Sequence, residues 1–185
     1  MKKLFMLICL FIGVCVMAAT PDDSYTIKDG HVVVEKVIPF SISMQDASSA
    51  VNSWFVTHLN DSNQTLKNSS DNYYVAKILT PHLSTYAMGM WHTMGELTIE
   101  VRFKEDRMKV SVSCGQIMNE NIDKTGRSYY SLFDAAPLAD KHDQFKTNIY
   151  KKNAEETFKN LILYMNSVVN DIESAVASAK DEDDW

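Results

Sequence analysis

Apolar and polar residues alternate over residues 96–103 and again over 108–114. Leu97, Ile99, Val101 and Phe103 are interleaved with Glu96, Thr98, Glu100 and Arg102, and Met108, Val110, Val112 and Cys114 with Lys109, Ser111 and Ser113. A period of two is that of a strand with one buried face. If Phe103 faces Met108 across residues 104–107, then Val101 falls opposite Val110, Ile99 opposite Val112 and Leu97 opposite Cys114. Every apolar residue of both runs then shares one face. A slip of one residue would put half of them in water, so the pattern predicts an antiparallel hairpin with one permitted register.

The period changes on either side. Ala47, Ala50, Val51, Trp54, Phe55 and Leu59 recur at three- and four-residue spacing, which predicts a helix over about residues 46–60 with Asp46 as its N-cap. Phe158, Leu161, Ile162, Met165, Val168, Val169, Ile172, Ala175, Val176 and Ala179 predict a long amphipathic helix over about residues 153–179. Glu155 and Glu156 fall near its start, where the macrodipole favours acids. Residues 32–42 are rich in β-branched side chains and read as a strand, with Lys36 interrupting the apolar face. Pro39 has no amide donor, which places that strand at an edge or a bulge. Residues 73–79 read as another strand, stopped before Pro81. The polar run 60–72 predicts a loop, 86–94 fits neither period, and within 119–152 only 128–133 is compatible with a short fifth strand.

The first residues carry a different pattern. Lys2 and Lys3 precede an apolar run over residues 4–17 and then Ala18 and Ala19. This is the layout of a cleavable signal peptide over residues 1–18, and the run is short of the roughly 20 apolar residues that span a bilayer. Val14 precedes Cys15 and Ile8 precedes Cys9, where a lipoprotein anchor would need a small residue. The expectation is a periplasmic or secreted protein with no stable membrane anchor after cleavage. Residues 19–30 then form a flexible lead, 31–180 one domain and 181–185 an acidic tail.

Cleavage leaves 16 Lys and Arg against 24 Asp and Glu, a net charge of −8. That balance repels a phosphate backbone and argues against nucleic acid as a partner. No local basic patch is evident from the linear sequence. Cys114 alone survives cleavage, so no intrachain disulfide can form. Its strand phase buries it with Val110 and Val112, which makes it a core thiol rather than a nucleophile. His31, His58, His82, His92 and His142 lack the spacing of a zinc site, although His82 and His92 flank residues 86–94 and could converge. No phosphate loop, nucleophile elbow or zinc-protease helix occurs. No catalytic residue, metal or cofactor is therefore assigned.

Two amphipathic helices and a hairpin with one apolar face are satisfied together if both helices cover one side of an antiparallel sheet. The expected architecture is α+β, with four or five strands and two helices on one face, in the order β-α-β-β-β-(β)-α. The signal segment, the strand at 32–42 running into a helix that carries Ala50, Val51, Asn52, Ser53, Trp54 and Phe55, and the hairpin 96–114 resemble a family of small exported Bacteroidetes proteins. That family is a domain of unknown function with a TBP-like fold. The resemblance implies the fold and carries over no catalytic or binding residue.

The face opposite the helices, with Thr98, Glu100, Arg102, Lys109 and Ser111, is then left for a partner or a second copy of the chain. Met88, Met90 and Trp91 in the 86–94 segment offer a second, adaptable apolar surface. These features predict a non-catalytic binding domain for a protein or small ligand. The alternative is a small hydrolase-like enzyme with a histidine-containing site. The export reading has a direct test: expression in a bacterial host followed by intact-mass analysis should give a product beginning at Ala19. Retention of residues 1–17, or lipidation of Cys15, would refute it.

Overall fold

The computed structural model describes residues 25–59, 65–70, 72–86, 88–131 and 148–179. The expected signal segment and acidic tail lie outside the described residues. The hairpin forms in the register that its alternation dictates, between β6 (Trp91–Lys104) and β7 (Arg107–Asn121). Phe103 pairs with Met108, Val101 with Val110, Ile99 with Val112 and Leu97 with Cys114. Lys104 and Arg107 also pair, so the connection tightens to Glu105 and Asp106, with Asp106 in the left-handed region at φ 61°.

The remaining strands assemble around this pair. β2 (His31–Pro39) joins the first half of β7, and β1 (Thr26–Lys28) joins β2. On the other side β4 (Tyr73–Leu79) pairs with β6, and β3 (Thr65–Ser70) with β4. At the far end of the hairpin β5 (Ser84–Tyr86) pairs with β6 and β8 (Arg127–Ser131) with β7. Among the described residues the result is an antiparallel sheet of eight strands. Helix α1 (Met44–His58) and helix α2 (Asn148–Ser178) supply the second layer.

The α+β class and the pair of helices on one face match the expectation, and the strand count exceeds it. β1 lies inside the expected flexible lead. Asp29 and Gly30, at φ 50° and 78°, make the two-residue turn that returns the chain into β2, the backbone that an Asp-Gly hairpin requires. β3 lies inside the expected loop: among the described residues it is an edge strand paired with β4, so it needs no apolar face. β5 and the start of β6 occupy part of the 86–94 segment, β7 runs on past Cys114, and β8 matches the compatible fifth strand. The N-cap of α1 is Ser43 rather than Asp46. The Ser43 hydroxyl accepts from the amide of Asp46 at 3.1 Å and donates to the carboxylate of Asp46, the third helical residue.

The core lies between the apolar hairpin face and both helices. Val51 and Phe55 of α1 and Leu161, Met165, Val168 and Ile172 of α2 pack with Leu97, Ile99, Val101, Val110 and Val112. Lys36, which interrupts the apolar phase of β2, reaches Glu173 of α2 at 2.5 Å. Gly95 lets α2 approach closely, since a Cβ there would lie 3.1 Å from Leu161 Cδ1. Gly115 is the extra residue between the pairs Leu97–Cys114 and Glu96–Gln116, and the His31 ring lies across it. That bulge keeps the second half of the hairpin paired while bending the strand.

Two neighbouring truncations separate the faces. Ile99 is fully buried, and Ile99→Ala should cost about 2–5 kcal/mol. Glu100 lies on the other face, and Glu100→Ala should change stability by no more than about 0.5 kcal/mol. Urea denaturation of both variants measures the difference; equal losses would mean that the sheet is covered on both sides.

Candidate functional site

Because β6 is regular throughout, its even-numbered residues all face away from the helices. Thr98 pairs with Ser113, Glu100 with Ser111 and Arg102 with Lys109. The structure thus brings Thr98, Glu100, Arg102, Lys109 and Ser111 together on one sheet face, as their alternation implies. β4 adds Tyr73, Val75 and Lys77 to this face, and β2 adds Val33, Glu35 and Val37.

Charge is unevenly distributed over it. Glu35 bridges Lys28 at 2.7 Å and Lys109 at 3.0 Å, Arg102 meets Glu100 at 3.0 Å, and Lys77 pairs with Glu96. The hydrogen bonds from Lys28 and then Lys109 hold the Glu35 carboxyl down at about 2. At the hairpin turn Glu105 and Asp106 share a cleft with Lys104, Arg107 and Val37. A groove of about 810 Å³ opens there, with Val37, Asn72 and Tyr73 on its sides and Arg102, Lys104, Arg107 and Lys109 lining it. No carboxylate lines this groove. Lys104 and Arg107 make no ion pair among the described residues, and the Arg102 guanidinium lies 5.1 Å from the centre of the Tyr73 ring.

The linear sequence does not display this cluster of cations. The signal was present in the hairpin register. Arg102 and Lys104 are two apart on one strand and face Lys109 and Arg107 on the other, so all four cations must share a face. Lys104 and Arg107 were missed because residues 104–107 read as a turn.

The other expected contact residues lie elsewhere. Met88, at φ 56° and almost fully exposed, and Met90 form the tip between β5 and β6, beside the exposed Ile122. Nearly the whole of β6, roughly 40 Å of strand, separates Met90 from Arg102. Trp91 points to the helix side and packs against Gly126. The two candidate surfaces are therefore separate.

His82 and His92 do converge. Their rings stack with centroids 3.9 Å apart and planes 6° from parallel. Desolvation, then His92, lowers the basicity of His82, with Glu120 opposing the shift and Lys124 adding to it. Nitrogen lone pairs lie in the ring planes, so parallel stacked rings cannot both aim at one ion. No group of three or more His, Cys, Asp or Glu suited to a metal occurs among the described residues. Glu120 is engaged by Arg127 Nε at 2.7 Å, which ties up the nearest carboxylate. Cys114 is buried, and desolvation pushes its thiol up to about 12, so it is not poised as a nucleophile. His31 and His58 are engaged with Gly115 and Trp54 respectively, and His142 lies outside the described residues.

The architecture has solved counterparts. A TBP-like protein from Parabacteroides distasonis is similar over 82% of this chain and 96% of its own, with a TM-score of 0.63 and 13% identity. A DUF4468 family protein from Bacteroides ovatus is similar over 82% of this chain and 90% of its own, with a TM-score of 0.60 and 13% identity. No protein-family model and no curated protein sequence matches. The chain therefore has the TBP-like α+β fold, and at this identity the likeness extends to the fold alone.

The Glu35 bridge generates a pH signature. Its folded pKa is depressed, so its contribution is present above the unfolded value near 4.5 and is lost as pH falls toward about 2. Because the groups are exposed, the contribution should be under about 1 kcal/mol. Urea curves of wild type and Glu35→Gln should differ at pH 6 and converge by pH 2. A difference that persists at pH 2 would show that the ion pairs are not its source.

Proposed function

We propose that the protein is an exported, non-catalytic binding domain whose open sheet face takes up an acidic, extended segment of a partner protein. The observation that carries this reading is the groove lined by Arg102, Lys104, Arg107 and Lys109, of which Lys104 and Arg107 have no ion-pair partner among the described residues, in a chain of negative net charge. Lys104 and Arg107, with Arg102 and Lys109 behind them already paired to Glu100 and Glu35, suit carboxylates spaced along an extended segment, and Tyr73 offers an aromatic flank. The mature charge of −8 and the Glu35, Glu96 and Glu100 carboxylates further along the face disfavour a nucleic acid, which would run across all of them. Export is supported by the pattern of residues 1–18. Among the described residues no helix is long and apolar enough to cross a membrane.

The convergence of His82 and His92 favours the enzymatic alternative over any other second reading. It carries less weight than the groove, because Glu120 is held by Arg127 and Cys114 is inert.

A labelled octa-aspartate peptide tests the groove by fluorescence anisotropy at low salt. Lys104→Gln with Arg107→Gln should weaken binding by about 2- to 30-fold, from two exposed charge contacts of about 0.2–1 kcal/mol each. Met90→Ala should leave it unchanged. If Met90→Ala weakens binding and the double variant does not, the tip between β5 and β6 is the contact surface. Equal affinity for a single-stranded oligothymidine would overturn the choice of a protein segment.

A further inference from the structure

The segment that links β4 to β5 is tied down at both of its ends. At one end the Thr80 amide donates to the Gly95 carbonyl at 2.9 Å, and the Gly95 amide donates to Thr80 Oγ1 at 2.8 Å. At the other the Leu83 amide donates to the Thr93 carbonyl at 2.8 Å, and Asn160 Nδ2 of α2 donates to the Leu83 carbonyl at 2.6 Å. The hydroxyls of Ser84 and Thr157 meet at 2.5 Å beside them. Between these anchors Pro81 has no amide to donate, and Pro81 and His82 are both exposed. What this middle stretch lays on the sheet is the His82 ring, stacked on His92 of β6.

A parallel stack with centroids 3.9 Å apart suits two neutral imidazoles. When both rings are protonated, two positive charges stand about 4 Å apart. Such a repulsion shifts a local equilibrium about fivefold even in water, and further where the rings are partly desolvated. The surrounding charges leave it in place. Glu120 of β7 faces the pair and opposes the repulsion, but Arg127 of β8 engages it at 2.7 Å, and Lys124 in the next turn adds to the positive charge. The neutral Thr85 hydroxyl lies 3.2 Å from His92 Nδ1. Buried Leu83 follows His82 directly, so displacing His82 strains the bonds that Leu83 makes to β6 and α2.

We propose that the stack of His82 on His92 is a proton-operated latch, which holds the segment between β4 and β5 on the sheet while both rings are neutral and releases Leu83 from β6 and α2 when both are charged. Release uncovers an apolar side chain together with Thr157 and Asn160 of α2. The latch is independent of the cationic groove. Its sign follows from His82, whose basicity is lowered by desolvation and then by His92. The closed form is therefore favoured above the ordinary histidine value near 6.5 and loses that advantage as pH falls below it.

Amide hydrogen exchange followed by NMR, corrected for the intrinsic pH dependence of exchange, tests the latch at pH 7.5 and pH 5.0. Protection of the Leu83 amide should fall at the lower pH about 5- to 50-fold further than protection of Ile99. His92→Phe keeps a flat ring that cannot charge and should remove this extra fall, and His82→Phe should do the same. Leu83 protection that does not change in the wild-type protein would overturn the latch. An extra fall that persists in both Phe variants would overturn the histidine pair as its source. An equal fall at Ile99 would show global acid unfolding and overturn a local release.

Discussion

The pairing of β6 with β7 is the constraint on which the rest of the molecule depends. These two long strands carry partners along both outer edges, β4 and then β5 beside β6, and β2 and then β8 beside β7. Their register places one apolar face under both helices and one polar face outside. A one-residue slip would invert every side chain of the hairpin at once, so the core and the cationic groove are specified together. The groove is the outward expression of the alternation that builds the core.

The bulge at Gly115 divides that surface into two parts with different chemistry. On the turn side of it, β2 and β4 flank the hairpin and the face carries ion pairs and then unpaired cations. Beyond it, β5 and β8 take over, and the face carries the stacked histidines, Glu120 and Arg127. Met94 and Met118 pair across the hairpin between these regions and are both nearly buried. The two ends are chemically independent surfaces on one sheet.

What the sequence made legible follows from where side chains alone decide structure. Ile99 and Val112 could be paired because burial on one face permits one register, and α2 was readable because its apolar stripe covers that face. β3 was not legible: an edge strand held by backbone hydrogen bonds to residues 73–77 needs no apolar alternation. β1 could have been found from Asp29-Gly30, but its Thr26–Lys28 side chains are all exposed and give no burial pattern. His82 and His92 are ten residues apart in sequence, and their stacking depends on the break between β4 and β5, which no local period reports. The groove was half visible, through Arg102 and Lys109, while Lys104 and Arg107 were masked by the turn between them.

The position of α2 in chain order has a consequence for biosynthesis. Ile99, Val101 and Val112 are made long before Leu161, Met165 and Ile172, which bury them. The apolar face of the hairpin stays bare until most of the last helix has left the ribosome, so a nascent chain cannot reach its closed state early.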